Sequence, residues 1–380
     1  MKKIKLAMIV DCLRLDGISE VIMNYCTHLD LDKFDITIVS GAPITPVHRK
    51  RCDEIGIRVV GLPVRKKEKL KYYIKLGRIL KEGHFDICHV HGNSATSSVE
   101  LVLAAIHGVP IRIMHCHNSR CQHESVHKVL VPVFKRLYTQ AFACSALAGN
   151  WIFGEGKFKV LSNGFETEKF KFNIDKRNSY RSQLGLDGKF VIGHVGQINN
   201  QKNTEFSIKL FETVFAKDDS AYLLLVGNGR DKETYEEYVK NSACRNKIIL
   251  YGESDDVPGI LSAMDVFIFP SRYEGLGISV IEAQINGLPC IISDAVPRET
   301  QISENVVFLP IGEENYKKWG NLINFYRGCE TCREKSYAEN SSGIDNYDIS
   351  HCAQILEDEY LRLYSTARRK KFRRFGGKNQ

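Results

Sequence analysis

The residues best suited to chemistry in this sequence are Glu274, the run Gly275-Leu276-Gly277-Ile278-Ser279, and Glu282. Gly275-Leu276-Gly277 open a helix expected from about Ile278 to Asn286. A glycine-rich strand-to-helix loop turns backbone N–H groups toward any anion at the helix start. Glu282 falls about one turn inside, on the side of Ile278 and Ser279. A pyrophosphate in the loop, ribose hydroxyls on Glu282 and a sugar near Glu274 together describe a nucleotide-sugar site. Gly196-x5-Lys202 is a second candidate. It follows the first strand of the second half, where open α/β sheets bind ligands, and Lys202 offers a diphosphate a point charge. A third is the pair His89-x-His91 and His115-x-His117, which end adjacent strands and lie on one face of each. Four imidazoles have the ligand chemistry of zinc. No Asp, Glu or Cys pattern completes the set, so no metal is expected. Asp30-x-Asp32 has metal-binding spacing but sits between a helix and a strand, as an ordinary turn.

These loops need strands and helices to hold them, and the sequence alternates the two. In the first half, strands are expected at Lys5 to Val10, Phe34 to Val39, Ile57 to Leu62, Phe85 to His89, Ile111 to His115 and Lys159 to Ser162. Helices are expected at Glu20 to Leu29, Lys66 to Lys81 and Lys128 to Tyr138. In the second of these, Leu70, Ile74, Gly77 and Leu80 fall roughly on one face. A polar stretch from Glu166 to Asp187 reads as a linker and a small helix. The pattern then restarts, with strands at Phe190 to Val195, Ala221 to Val226, Ile248 to Tyr251, Val266 to Phe269, from Cys290, and Val306 to Leu309. This alternation predicts an α/β protein with two parallel, doubly wound sheets. The predicted domains are 1–170, 171–355, a helix at 356–367 returning to the first domain, and a basic tail at 368–380.

The length of 380 residues suits two domains, and 43% hydrophobic with 26% charged residues is the composition of a globular protein. No stretch has the length of a membrane span. Asp11 and Arg14 interrupt the first apolar run, which reads as a buried strand rather than a signal peptide. The 12 cysteines are scattered through apolar runs, as buried thiols of a reducing compartment; Cys329-x-x-Cys332 has no partner pair and does not read as a zinc ribbon. Much of the net charge of +8 comes from Arg368, Arg369, Lys370, Lys371, Arg373, Arg374 and Lys378. That is a basic tail and not a nucleic-acid-binding surface. No GxGxxG follows a first strand, which argues against a nicotinamide-dependent oxidoreductase.

Glu274-x7-Glu282 within PSRYEGLGISVIEAQINGLPCIISD resembles the signature of the retaining glycosyltransferases of family 4, and the resemblance extends over most of the chain. It implies the GT-B fold, two Rossmann-like domains facing a cleft, with acceptor bound by the first and nucleotide-sugar donor by the second. It implies sugar transfer with retention, without a metal, from a UDP-sugar rather than a GDP-sugar donor. The acceptor is then a saccharide or a polyprenyl-diphosphate-linked saccharide in capsule or extracellular polysaccharide assembly, at the cytoplasmic face of an anionic membrane. The resemblance places Glu274 and His117 (of HCHNS) at the reacting sugar. Gly196, Lys202, Gly275, Leu276, Gly277, Ile278, Ser279 and Glu282 fall on the donor, and Gly17 and Asn118 on the acceptor side. Gly227 to Arg230 and Glu253 to Asp256 match two further donor-domain loops. The sequence departs from the family where Gln197 replaces an Arg after Gly196, and where Asp16 precedes Gly17 in place of a second Gly. These departures support a competing reading, a catalytically inactive sugar-nucleotide-binding regulatory or scaffolding subunit.

Overall fold

The computed structural model describes residues 2–14, 17–41, 44–121, 123–328, 333 and 341–376. Two compact units divide the chain, residues 1–165 with 346–380 and residues 166–345.

The first unit holds a seven-stranded sheet of β1 (Ile4–Val10), β2 (Phe34–Ser40), β3 (Arg58–Gly61), β4 (Ile87–Gly92), β5 (Ile111–Cys116), β6 (Gln140–Ala143) and β7 (Lys159–Val160). Its order is 3-2-1-4-5-6-7, and every pairing is parallel. The helices are α1 (Gly17–His28), α2 (Pro46–Ile55), α3 (Lys69–Gly83), α4 (Ser98–Ile106), α5 (Glu124–Phe134) and α6 (Ala146–Phe153). The second unit holds α7 (Ile174–Leu184), then β8 (Phe190–Val195), α8 (Thr204–Phe215), β9 (Ala221–Val226), α9 (Lys232–Asn241), β10 (Ile248–Gly252) and α10 (Val257–Ala263). It continues with β11 (Val266–Phe269), α11 (Ile278–Ile285), β12 (Cys290–Ser293), β13 (Val306–Leu309), α12 (Tyr316–Phe325) and α13 (Ser341–Asp345). Its strand order is 10-9-8-11-12-13, again parallel throughout.

In both sheets the order in which strands are added reverses once, between β1 and β4 and between β8 and β11. Ligands of doubly wound sheets bind outside the carboxyl ends of the strands at such a switch point. The central strands read as unbroken apolar runs because helices cover both faces. Val266, Phe267, Ile268 and Phe269 of β11 are all fully buried. The two phenylalanines alone remove enough apolar surface to stabilise the unit by about 1.5–3 kcal/mol each.

Several boundaries differ from those expected. The units part at Phe165/Glu166 and Asp345/Asn346, not at 170/171 and 355/356. The return to the first unit therefore begins earlier. Phe165 forms a parallel bridge with Asp348, and a single helix, α14 (Ile349–Gly376), packs along α1. Lys33 pairs with Glu357 at 2.6 Å, and Tyr360 is fully buried against Phe34. The basic stretch from 368 onward is thus no separate tail as far as 376 but the continuation of this helix. Helices α2 and α6 lie where no element was expected. The former starts on Pro46 and stops at Gly56 in the left-handed region.

The apolar face of α3 also differs. Tyr72, Leu76, Gly77 and Leu80 are the buried residues, while Leu70 and Ile74 are 73% and 57% exposed. Two apolar stripes run along this helix, and packing against α4 selects one of them. Asp30 is a turn residue as expected, accepting from the Asp32 amide at 2.8 Å and pairing with Lys33. Cys329 and Cys332 lie outside the described residues.

Candidate active site

The second unit builds its candidate site at the carboxyl ends of β8 and β11. After β8 the chain enters the loop Gly196 to Asn203. Lys202 is anchored through its amide to Asn199 Oδ1 at 2.9 Å, and its side chain crosses back over the Phe269 ring, 4.5 Å from the centroid. After β11, Pro270 ends the strand and Ser271 to Glu274 form the next loop. Here Lys202 Nζ meets Glu274 Oε1 at 2.8 Å, with side chains only 16% and 7% exposed. Gln201 donates to the Tyr273 carbonyl at 3.1 Å and reaches Glu274 Oε2 at 3.4 Å. Glu274 is thus positioned by two groups from the neighbouring loop. An ion pair this enclosed is held more firmly than a surface pair, because solvent screens it less.

Asn203 fixes the two loops relative to each other. It adopts a left-handed conformation at φ 57° just before α8, donates to the Pro270 carbonyl at 3.1 Å and accepts from Arg272 at 2.9 Å. Sequence reasoning missed Gln201, Asn203 and Phe269. An Asn directly before a helix, where left-handed backbone is tolerated, was the available signal for Asn203.

The helix α11 starts on Gly277, at φ 89°. A side chain there is strained in that conformation, so the glycine sets where the helix begins. Gly275, Leu276 and Gly277 are buried, and Ile278, Ser279 and Glu282 are half-buried along the first turns. Thr300 donates to the Leu276 carbonyl and Gln284 to the Thr300 carbonyl, the latter at 2.8 Å, so the loop is braced from behind. A second close approach joins the loops after β8 and β9. A Cβ on Gly227, whose φ is 135°, would stand 2.0 Å from the Gly196 carbonyl oxygen. His194 is buried beneath, 3.1 Å from Ser207 Oγ; burial, with the nearby Lys202 charge, pushes it down to about 3.

Gln197 is exposed, and its Oε1 accepts from Asn199 at 3.1 Å. Within Glu253 to Asp256, Asp256 caps α10 through the Gly259 amide and pairs with Lys176 at 2.8 Å. The helix cap gives that carboxylate a structural employment.

In the other half, Gly17 is the exposed first residue of α1, and Asp16 lies outside the described residues. Asn118 is half-buried after β5, its Oδ1 accepting from the Ser119 amide at 2.8 Å. His117 is buried, with its amide 3.3 Å from the Gly92 carbonyl and its Nε2 3.0 Å from His91 Nδ1. Burial pushes the His117 imidazole down to about 4, partly offset by Asn163. His117 and Asn118 sit together at the end of β5, while Gly17 belongs to the β1 side of that sheet.

Known proteins share this architecture. The family described as "Glycosyl transferases group 1" matches residues 176–331, and the "Glycosyl transferase 4-like domain" matches residues 16–149. The putative glycosyltransferase EpsF of Bacillus subtilis is 26% identical over 321 residues, 81% of this chain and 83% of its own length. The Escherichia coli UDP-Gal:alpha-D-GlcNAc-diphosphoundecaprenol alpha-1,3-galactosyltransferase is 27% identical over 311 residues, covering 77% and 80%. Among solved structures, Anabaena HepE in complex with UDP and glucose superposes with a TM-score of 0.79 at 17% identity, over 94% of this chain and all (100%) of that one. WaaG, a glycosyltransferase involved in lipopolysaccharide biosynthesis, gives a TM-score of 0.70 at 15% identity over 93% and 98%. The two family matches fall on the two sheets separately, and with them the chain belongs to the group 1, family 4 glycosyltransferases of GT-B fold.

Proposed function

We propose that this glycosyltransferase moves a sugar, with retention of configuration, from a nucleoside-diphosphate sugar to a saccharide or polyprenyl-diphosphate-linked saccharide in the assembly of capsule or other extracellular polysaccharide. The observation that carries the reading is the enclosed Lys202–Glu274 pair beside the Gly277 helix start. An incoming diphosphate finds there a cation and the first-turn amides of α11, both favourable to negative charge. The same groups would stabilise the charge that develops as the diphosphate leaves, which is where preorganised donors lower a barrier. Glu274 would then hold hydroxyls of the donor sugar. Glu282, one turn further, would accept from the ribose. Gly196 keeps the β8 loop close to Lys202, whose side-chain carbons would lie 3.3 Å from any Cβ there. His117 would touch the reacting sugar as a neutral imidazole, with Gly17 and Asn118 on the acceptor. Transfer needs no metal in this reading.

A UDP-sugar is the proposed donor, in keeping with the UDP-Gal named for the E. coli relative and the UDP bound by HepE. The test is turnover of a panel of UDP- and GDP-sugars with a lipid-linked saccharide extract, with the anomeric configuration of the product read by NMR. Transfer from UDP-sugars with retention is expected. UDP binding without transfer from any donor would favour the inactive regulatory subunit instead, and inversion would remove the retaining assignment.

We place the protein on the cytoplasmic face of the membrane, as a peripheral enzyme. No helix among the described residues is long and apolar enough to cross a bilayer. The support is the exposed apolar stripes of two helices. Leu70 and Ile74 on α3 stand among Lys69, Lys71, Lys75 and Arg78. Val126, Val129 and Val133 on α5 are 50%, 76% and 51% exposed, beside Lys128, Lys135 and Arg136. Apolar side chains rimmed by cations suit an anionic headgroup layer, at about 1 kcal/mol per basic residue near the surface.

A further inference from the structure

His89, His91, His115 and His117 form one buried stack in the first unit. β4 and β5 are hydrogen-bonded neighbours with His91 opposite His115. Ring centroids lie 4.3 Å apart for His89 and His91, 5.3 Å for His89 and His115, and 4.1 Å for His115 and His117. A buried imidazole ordinarily satisfies both of its nitrogens. Here His89 Nδ1 meets the Tyr360 hydroxyl at 2.6 Å and His91 Nδ1 meets His117 Nε2 at 3.0 Å. That leaves His89 Nε2, His91 Nε2, His117 Nδ1 and both nitrogens of His115 buried without a hydrogen-bond partner. Such atoms carry their full desolvation cost with nothing to offset it.

We propose that His89, His91 and His115 bind a divalent transition-metal ion, zinc foremost, as a structural site in the first unit. One nitrogen from each lies within 4.8 Å of the others. Zinc–nitrogen bonds of about 2.0–2.1 Å need ligand atoms about 3.3 Å apart in a tetrahedron. The last torsion of a histidine is broad and shallow, so ring rotation can close the difference. Ligating histidines characteristically engage their second nitrogen with another polar group, which fixes tautomer and orientation. Tyr360 does this for His89 and His117 for His91. Imidazoles shut away from water, as these are, favour the neutral form that keeps a lone pair. An all-nitrogen donor set suits zinc, nickel or copper and offers calcium or magnesium none of the oxygen ligands they prefer.

The sequence pattern argued against a metal because no Asp, Glu or Cys completes the set. What the fold adds is the stacking of these imidazoles across the β4–β5 ladder, and a partner for the second nitrogen of His89 in the Tyr360 hydroxyl, 271 residues away. The ion is structural and takes no chemical part in the sugar transfer proposed above, although its ligand His91 also holds His117.

The experiment uses the full chain without a histidine tag, stripped with EDTA and dialysed. Titration with Co2+ is expected to saturate at one equivalent with the visible bands of a tetrahedral site, and Zn2+ to displace it. Zinc at a free concentration about a hundredfold above its Kd should raise Tm by roughly 5–10 °C. His91→Gln, at the rim of the stack, and His115→Gln should each abolish the bands. His28→Gln, on the exposed end of α1, should leave them unchanged. Absence of saturable Co2+ binding by the unmutated protein overturns the proposal without recourse to any variant, and so does undiminished binding by folded His91→Gln.

Discussion

The two halves share a topology, and the charged and amide side chains at one switch point are paired where the imidazoles beside the other are not. At the β8/β11 switch point, Lys202 is matched by Glu274, Glu274 by Gln201, and Asn203 by Pro270 and Arg272. Beside the β1/β4 switch point, imidazoles meet one another and leave nitrogens of His89, His91 and His115 unmatched. Matched groups hold one geometry, which suits the role proposed for this site, meeting a diphosphate and a sugar without rearranging. Unmatched ones store a cost that a ligand can relieve. A shared fold therefore says where chemistry can be placed, and the side-chain complement says what it can be.

The sharpest way to break this comparison is to unmatch the second unit, the proposed donor half. Glu274→Gln keeps the shape and removes the charge. It should lower kcat/KM by about 100- to 1000-fold, in line with the loss of one preorganised transition-state contact. UDP affinity should stay within a few-fold by calorimetry, because Lys202 is retained. A drop of only a few-fold in turnover would take the reacting sugar away from Glu274.

Gly227→Ala probes the same half through its backbone. The added Cβ meets the Gly196 carbonyl and a φ of 135° that side chains rarely adopt. A loss of roughly 1–3 kcal/mol is expected in urea unfolding of this half. Unchanged stability would mean that the two loops part easily and do not define a fixed cradle.

His194 extends the comparison to pH. Its folded-state value of about 3 lies below the ordinary 6.5, so the unfolded chain binds the extra proton. The stability it contributes is complete above about pH 6.5 and is lost as pH falls from there toward 3, at up to about 1.4 kcal/mol per pH unit. Protonation would place a cation under Lys202, with Glu274 as the nearest neutralising charge. His194→Asn should flatten the acid limb of a stability–pH profile measured on this half. An identical limb would show that other groups govern it.

The smallest effects concern the donor's two ends. Glu282→Ala removes the proposed ribose acceptor and should weaken UDP binding by about tenfold, the value of one hydrogen bond to a charged group. Gln197→Arg returns a cation to an exposed loop position and should tighten UDP binding a few-fold, less at high salt. Equal affinity for Glu282→Ala and the parent removes the ribose assignment. Weaker binding by Gln197→Arg would mean that the glutamine, through Asn199, serves the loop's own geometry.

The sequence by itself determined the alternation of strands and helices, the two parallel sheets, and the strand–loop–helix in which Glu274, Gly277 and Glu282 lie. Those features rest on apolar runs and on Gly and Pro at the strand and helix ends, whose effects are local. Only the tertiary structure decided that Lys202 meets Glu274, 72 residues on, and that Tyr360 returns to His89 across 271. It also chose the buried stripe of α3, where Tyr72 and Leu76 pack inward and Leu70 and Ile74 face outward. Periodicity marks an amphipathic helix but does not rank two adjacent stripes, and spacing along a chain carries no distance between residues in different loops. Both are settled by which neighbours the assembled sheet brings alongside, a property of long-range packing that no local pattern encodes.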